Sequence, residues 1–246
     1  MTARTLLHKY SPAFLRRLTE RVESSPLGGR LARGAFWSLA GSLISRGLGL
    51  IAAIWVGRIL GRVEFGEFGI IQNTIGMFGV LAGFGMSITA NKHVAEFKVT
   101  DPERAGRILS MSSLVAWITS STMAVLLAIA APWVADRMLA APHLESALRI
   151  SALLMLLSGV NGAQGGALSG FEAFKPLARI SLLTGLLSFP ITLAFAWQLG
   201  LAGAVWALVA NQAISCVLCH WAVRRECAQH GIAPRLAGSL GDAKLF

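Results

Sequence analysis

The stretch FWSLAGSLISRGLGLIAAIWVGRIL, residues 36–60, is apolar throughout except for Arg46 near its middle and Arg58 near its end. About twenty apolar residues, at a rise of ~1.5 Å each, cross the ~30 Å hydrocarbon core of a bilayer. The stretch is therefore predicted to be a membrane-spanning helix. Arg46 would lie ~15 Å from either end of it. A cation at that depth costs ~2.5–3.5 kcal/mol, even on a lenient scale, unless it faces a polar cavity, finds a partner or reaches the interface.

The composition of the whole chain agrees with a membrane protein. The mean hydropathy is +0.62 and only 14% of the residues are charged, which is not the composition of a soluble protein. The net charge of +10 comes from basic residues that lie in the gaps between apolar runs. That placement favours charged loops beside a membrane over a nucleic-acid surface, so no nucleic-acid partner is expected.

Six apolar runs predict the organisation of the chain. The fold class expected is all-α, with about six transmembrane helices forming a bundle over residues 34–224. A basic tail, residues 1–33, is expected on the cytoplasmic side, either as an amphipathic helix on the membrane or as a solvated segment. Residues 61–68 are predicted to form a tight charged turn, and residues 225–246 a cytoplasmic linker. The expected spans are about 36–58, 69–89, 108–134, 148–168, 180–199 and 202–223.

The distribution of basic residues predicts the orientation of the bundle. With the N-terminus in the cytoplasm and six spans, seventeen Lys and Arg residues lie on the cytoplasmic side and four on the other side, with Arg46 in the membrane. Because loops on the cytoplasmic side carry the excess of Lys and Arg, both termini are expected to be cytoplasmic.

Small residues recur four positions apart in the expected spans. Such pairs allow the backbones of neighbouring membrane helices to approach closely, so they predict a packed bundle and not a binding site. The pairs are Gly57 and Gly61, Gly79 and Gly83, Gly162 and Gly166, and Gly166 and Gly170.

Four segments, in their order along the chain, resemble a known family. They are WVGRILGRVEFGEFG at 55–69, GFGMSITANKHVAEF at 83–97, GALSGFEAFKPLARI at 166–180 and GLAGAVWA at 200–207. From about residue 32 onwards the chain resembles the N-terminal half of a polysaccharide-biosynthesis flippase of the multidrug/oligosaccharidyl-lipid/polysaccharide exporter superfamily. The resemblance implies a bacterial inner-membrane protein with twelve to fourteen helices in two pseudo-symmetric halves. It also implies alternating access and a lipid-pyrophosphate-linked oligosaccharide as cargo.

The same resemblance implies a set of partners. In relatives, a segment similar to residues 242–246 leads into a seventh span, so the chain is expected to stop before that span and to be one half of the exporter. The expected partners are the lipid-linked oligosaccharide, membrane lipids, and either a C-terminal half or a second copy of the chain. A polysaccharide polymerase or other assembly machinery is a further expected partner.

Arg46 is the first candidate for contact with such a cargo. A diphosphate that crosses the membrane needs fixed positive charge, and the planar guanidinium matches phosphate oxygens. The structural alternatives for Arg46 are that its side chain extends to the membrane interface or that it pairs with a buried carbonyl. Other polar side chains in or near the spans are candidates for contact with sugar hydroxyls, although interhelical hydrogen bonds of ~0.6 kcal/mol are their commoner role. They are Gln72, Asn73, Asn161, Gln164, Asn211 and Gln212.

A polar segment after the second expected span supplies candidates for a cytoplasmic gate. Asn91, Lys92 and Glu96, with His93 among them, are placed to contact lipid headgroups or cargo. The alternative is a solvated connector. The segment is expected to be helical in two pieces, broken at Asp101-Pro102.

No catalytic residue, metal or cofactor is expected. Cys216, Cys219 and His220 match the spacing of haem attachment, but they lie within an apolar helix without an apparent axial partner. No acidic pair has metal-binding spacing. Five serines cluster in the third expected span without a histidine nearby in the sequence to activate them, so they are expected to pack helices. They are Ser110, Ser112, Ser113, Ser120 and Ser121.

The first hypothesis is therefore a flippase for lipid-linked oligosaccharides. The alternatives are a half-transporter that scaffolds an assembly complex without moving cargo, and a drug exporter of the same superfamily. A membrane glycosyltransferase comes after these, because the acidic metal site it would need is not evident.

Overall fold

The computed structural model describes residues 26–83 and 86–232, and all regular secondary structure in these ranges is helical. The all-α fold class is therefore confirmed. The expected tail at 1–33 lies largely outside the described residues, as does the expected linker after residue 232. The helices are α1 (Pro26–Gly83), α2 (Met86–Thr100), α3 (Pro102–Trp133), α4 (Glu145–Gly170) and α5 (Phe174–Gln229).

Four helical stretches within the described residues are long and apolar enough to cross a membrane. A short π-helix (Val134–Met138) extends α3, and a 3₁₀-helix (Pro142–Leu144) precedes α4. The second and third of the four stretches therefore include these two extensions. They are Leu43–Gly79, Pro102–Met138, Pro142–Gly170 and Phe174–Gln229.

Helix α5 reverses direction at Gly200. The φ of this residue is 58° and its ψ is −136°, a combination that only glycine adopts readily. Beyond it, Gly203 lies directly against the backbone oxygen of Phe195. The Asn211 Nδ2 donates to the Thr192 Oγ1 at 3.3 Å, whereas nineteen residues of straight helix would separate them by ~28 Å. Helix α5 is therefore two antiparallel arms.

Helix α1 turns in the same way at Gly61, where φ is 76° and ψ is −177°. A Cβ on Gly57 would lie 3.5 Å from the ring of Phe65, although eight residues of straight helix span ~12 Å. The turn expected over residues 61–68 is wrong in its length. Only Gly61 leaves helical geometry, and residues 62–68 are helical. One glycine with positive φ is enough to reverse the chain, so no longer turn is needed.

The break between α2 and α3 is confirmed at Asp101-Pro102. The Asp101 carboxylate accepts a hydrogen bond from the backbone N–H of Arg104 at 3.0 Å, which caps α3. Pro102 occupies the first helical position, where a missing N–H costs nothing and φ is already suitable. The sequence therefore specifies this helix start locally.

Buried side chains form clusters at two opposite ends of the bundle. The first, the hairpin end, contains both glycine turns and the start of α4, with Val56, Leu60, Phe68, Leu144 and Val205 among its buried residues. The second, the α2 end, joins α2 to the start of α3, the end of α4 and both ends of α5. Its buried residues include Val94, Leu109, Leu168, Ile180 and Cys219.

Two glycines of α4 allow α2 to approach closely. A Cβ on Gly166 would overlap the backbone oxygen of Ser87, and one on Gly170 would lie 2.7 Å from the backbone oxygen of Asn91. By contrast, a Cβ on Gly162 would meet nothing within 4 Å. The packing role expected of the paired glycines therefore belongs to Gly166 and Gly170, where two backbones touch.

Five of the six exposed tryptophans among the described residues lie towards the ends of the bundle, and the sixth, Trp117, lies midway along α3. Trp55, Trp133, Trp197 and Trp206 lie at or near the hairpin end, and Trp221 lies at the α2 end with 72% of its surface exposed. Tryptophan is enriched where membrane helices meet the interface, because one part of the ring is apolar and another donates a hydrogen bond. Many exposed Leu, Ile and Val side chains cover the faces between the ends. These are the features of a multi-pass membrane protein.

Candidate functional site

Arg46 lies on the first arm of α1, and its side chain is exposed. The preceding residue, Ser45, faces α5, where a Cβ on Gly185 would lie 2.9 Å from the Ser45 hydroxyl. Successive helical residues point ~100° apart, so Arg46 projects to the flank of that contact. Within the described parts of the chain, no hydrogen bond or ion pair involves its guanidinium. Its donors are available to a ligand.

Gln72 and Asn73 lie on the second arm of α1 and are also exposed. They follow Gly61 by eleven and twelve residues, which places them ~17–18 Å along the axis from the turn. Arg46 precedes the turn by fifteen residues, or ~22 Å. Because the two arms run in opposite directions from Gly61, all three polar residues lie at similar depth in the bundle.

Two other predicted residues form a polar seam between α4 and the second arm of α5. The Asn161 Nδ2 donates to the Ser215 Oγ at 3.0 Å, and the Cys216 thiol donates to the Gln164 Oε1 at 3.6 Å. Asn211 makes its bond to Thr192 within α5, and Gln212 is partly buried beside it. These contacts fit the interhelical role that the sequence left open for such residues.

Two buried acceptors, one in the seam and one beside it in α5, are unused. The Oδ1 atoms of Asn161 and Asn211 are buried, and neither accepts a hydrogen bond within the described residues. A buried amide oxygen without a donor costs free energy, so each position favours a ligand hydroxyl or a water as its missing partner. The amide groups can therefore stabilise helix packing and still accept a hydrogen bond from a ligand.

The gate candidates lie on α2. Asn91 and Lys92 are exposed, and the Glu96 carboxylate lies 3.5 Å from the Nδ1 of His93. The ring of His93 is buried and stacks on Phe97, with the ring centroids 6.2 Å apart. The α2 segment is thus anchored by His93, while Asn91 and Lys92 remain free to meet lipid or solvent.

A cavity that the sequence did not predict lies at the α2 end, between α3, α4 and α5. Its volume is about 220 Å³. Gln164 connects it to the polar seam, since the same amide accepts the hydrogen bond from Cys216. The lining residues are Leu109, Ser110, Ser113, Gln164, His220, Val223, Arg224 and Cys227.

The cavity corrects one sequence interpretation. Ser110 and Ser113 were expected to have no histidine near them, but the fold brings His220 of α5 into the same cavity. The hydroxyl of Ser110 donates to the backbone oxygen of Gly106 at 3.0 Å, so it is not paired with His220. The one sign of this cavity in the sequence was the spacing of His220 and Arg224, which lie four residues apart and therefore on one face of the helix.

A helical bundle with apolar outer faces, tryptophans at both ends and polar groups at bilayer depth defines the class of this protein as a multi-pass membrane protein. A family model described as "Polysaccharide biosynthesis protein" matches residues 31–240. The chain therefore belongs to the polysaccharide biosynthesis protein family, and the family resemblance predicted from the sequence is confirmed.

Two curated relatives are similar to part of the chain. It is 29% identical over 155 residues to the lipid III flippase of Escherichia coli (strain K12), and equally similar to the lipid III flippase of Shigella flexneri. Each alignment covers 56% of this chain and 36% of the relative, so the chain matches about a third of the length of each relative. No solved structure matches the chain.

Proposed function

We propose that this protein takes part in flipping a lipid-linked oligosaccharide across the bacterial inner membrane for polysaccharide export or cell-envelope assembly. The observation that carries the proposal is the family match over residues 31–240, joined to the similarity to lipid III flippases. A flippase moves its cargo between leaflets without changing a covalent bond, so no catalytic residue is assigned.

The proposal includes six membrane crossings with both termini in the cytoplasm. Two of the four candidate spanning stretches contain reversals, at Gly61 and Gly200, and counting each arm as one crossing supports six. The α2 end would face the cytoplasm because it carries more basic residues than the hairpin end. The basic residues compared are Lys92, Lys98, Arg104, Arg107, Lys175, Arg179, Arg224 and Arg225 at the α2 end, and Arg58, Arg62, Arg137 and Arg149 at the hairpin end.

Arg46 would bind the diphosphate of the cargo. An exposed guanidinium at bilayer depth is costly against lipid, and a water-filled cavity or an anionic partner removes that cost. Its planar donors match two phosphate oxygens at once. Gln72 and Asn73, at similar depth, would accept and donate hydrogen bonds to sugar hydroxyls, which the cargo carries in number. Together they would give the transported headgroup a polar path through an apolar bundle.

The face that carries Arg46 is uncovered in the described bundle, so an enclosed cavity needs further helices. A C-terminal half or a second copy of the chain would supply them, and alternating access would follow from the movement of the two sets of helices. A scaffold that assembles with a polymerase without moving cargo would need neither the enclosed cavity nor the charge at position 46.

The experiment that tests the proposal is polysaccharide export in cells that carry the Arg46→Ala variant. We expect export to fall at least tenfold while the amount of protein in the membrane stays unchanged. The matched control is Arg62→Ala, which removes an exposed arginine of the same helix just beyond the Gly61 turn. Normal export by both variants would show that the charge at position 46 is not part of the transport path.

A further inference from the structure

The cavity at the α2 end carries positive charge and hydrogen-bond donors without an acidic residue. Arg224 supplies up to five N–H donors, and Ser113 and the amide of Gln164 add further polar groups. None of the eight lining residues is an aspartate or a glutamate. Among the described residues, neither Arg224 nor His220 makes a hydrogen bond or an ion pair. Such a cavity selects an anion with several acceptor oxygens.

The volume of the cavity matches a small anionic group, and its open side exposes His220 and Arg224. At about 220 Å³ it is smaller than the ~300–1,000 Å³ of pockets that enclose a drug-sized ligand. An oligosaccharide exceeds that space, whereas a single phosphate with a short polar substituent does not. Leu109 and Val223 line part of the wall, so a ligand that is polar at one end and apolar at the other matches the lining.

The position of the cavity identifies the source of the phosphate. His220 is followed directly by Trp221, which is 72% exposed at the α2 end. Arg224 and Arg225 follow one turn later, as the apolar part of the helix ends. Exposed tryptophan and arginine at a helix end mark the headgroup level of a bilayer. Basic pockets between membrane helices at this level bind anionic headgroups.

We propose that this cavity binds a phosphate group, supplied by an anionic phospholipid of the adjacent leaflet. Arg224 holds the phosphate oxygens from one side, and His220, one turn earlier on α5, adds a second donor. Ser113 and Gln164, from α3 and α4, complete the contact, so the bound lipid holds three helices together. The lipid is a structural ligand and is distinct from any cargo that passes Arg46.

The test is the thermal stability of the full 246-residue protein, delipidated in detergent and titrated with phosphatidylglycerol. A ligand that binds only the folded state raises the unfolding temperature, and the rise grows with the logarithm of the ligand concentration once that concentration exceeds the dissociation constant. We expect phosphatidylglycerol to stabilise the protein, while phosphatidylcholine and inorganic phosphate at equal concentration do not. The Arg224→Gln variant should need about tenfold more phosphatidylglycerol for the same shift, since a hydrogen-bonded charge pair is lost.

The matched control is Arg225→Gln, which removes the same charge from the next residue. Both arginines are exposed, but only Arg224 lines the cavity. It should respond to phosphatidylglycerol as the unmodified protein does. Arg224→Lys, which keeps the charge, should need a phosphatidylglycerol concentration between those of Arg224→Gln and Arg225→Gln. This intermediate response separates loss of binding from loss of folding. Equal responses of Arg224→Gln and Arg225→Gln would overturn the proposal, because they would indicate attraction by net charge alone. A full response to inorganic phosphate would overturn the assignment to a lipid. The titration contains no cargo, so its result is independent of the export test on Arg46.

Discussion

Replacing Gly166 by alanine should force α2 and α4 apart. The new Cβ would overlap the backbone oxygen of Ser87 and lie 2.8 Å from its carbonyl carbon. Backbone atoms cannot move away by changing a rotamer, so the helices themselves must shift. Gly162, one turn earlier on α4, offers a matched control, because an added Cβ there would meet nothing within 4 Å and would enter a cavity of about 90 Å³.

The magnitude follows from the difference between the two variants. Alanine improves helix propensity over glycine by ~0.8–1.0 kcal/mol at either position, so this term cancels in the comparison. The remaining term is the overpacking at Gly166, which typically costs ~1–3 kcal/mol. For a chain of this size, ~1 kcal/mol corresponds to a shift of ~2–4 °C in the unfolding temperature. Gly166→Ala should therefore unfold ~2–12 °C below Gly162→Ala.

The assay is the temperature at which the protein, purified in detergent, loses its monodisperse elution profile after heating. Both variants are compared with the unmodified protein at the same detergent and lipid concentration. Gly162→Ala should be as stable as the unmodified protein or slightly more stable. If the two variants unfolded at the same temperature, the close contact between α2 and α4 at Gly166 would be refuted.

Three further predictions concern the hairpins, the seam and the orientation. Gly200→Ala should lower the free energy of unfolding by ~1–3 kcal/mol, and with it the unfolding temperature, because alanine disfavours the backbone conformation at this position. An unchanged unfolding temperature would contradict the turn at Gly200. In a double-mutant cycle, Asn161→Ala and Ser215→Ala should show an interaction free energy of ~0.6 kcal/mol in protein stability. Strictly additive effects would show that the 3.0 Å hydrogen bond between these side chains contributes nothing to stability. In a variant in which Cys216, Cys219 and Cys227 are replaced by serine, a cysteine introduced at Arg137 should react with an impermeant maleimide in spheroplasts, while one at Lys175 should react only after lysis. The reverse pattern would invert the proposed topology.

The sequence was sufficient for the class of fold, because hydropathy and helix caps are local properties. Apolar runs predicted an all-α membrane protein, and Asp101-Pro102 predicted the start of α3. The extent of the turn at Gly61 was not predictable in the same way. Charged residues such as Glu64 and Glu67 are typical of a loop but are also good helix formers, so only the backbone distinguishes the two.

The candidate site was only partly accessible from the sequence. A polar residue in an apolar run, such as Asn161 or Gln164, is conspicuous, but its partner depends on how two helices are aligned. Ser215 and Cys216 could be assigned only once α4 and α5 had been placed side by side. The cavity at the α2 end was missed for the same reason, since three helices contribute to it, and the pattern of His220 and Arg224 on α5 has no meaning until α3 and α4 cover it.

Transport by the purified protein tests the central claim most directly. The protein is reconstituted in vesicles that contain a fluorescent lipid-pyrophosphate-linked oligosaccharide, and dithionite added outside quenches every label that reaches the outer leaflet. Flipping predicts that the protected fraction falls in vesicles with the unmodified protein, while it persists in protein-free vesicles and in vesicles with Arg46→Ala. A protected fraction that is the same with the unmodified protein and without protein would contradict the claim that this chain, alone or paired with a second copy, moves lipid-linked oligosaccharide.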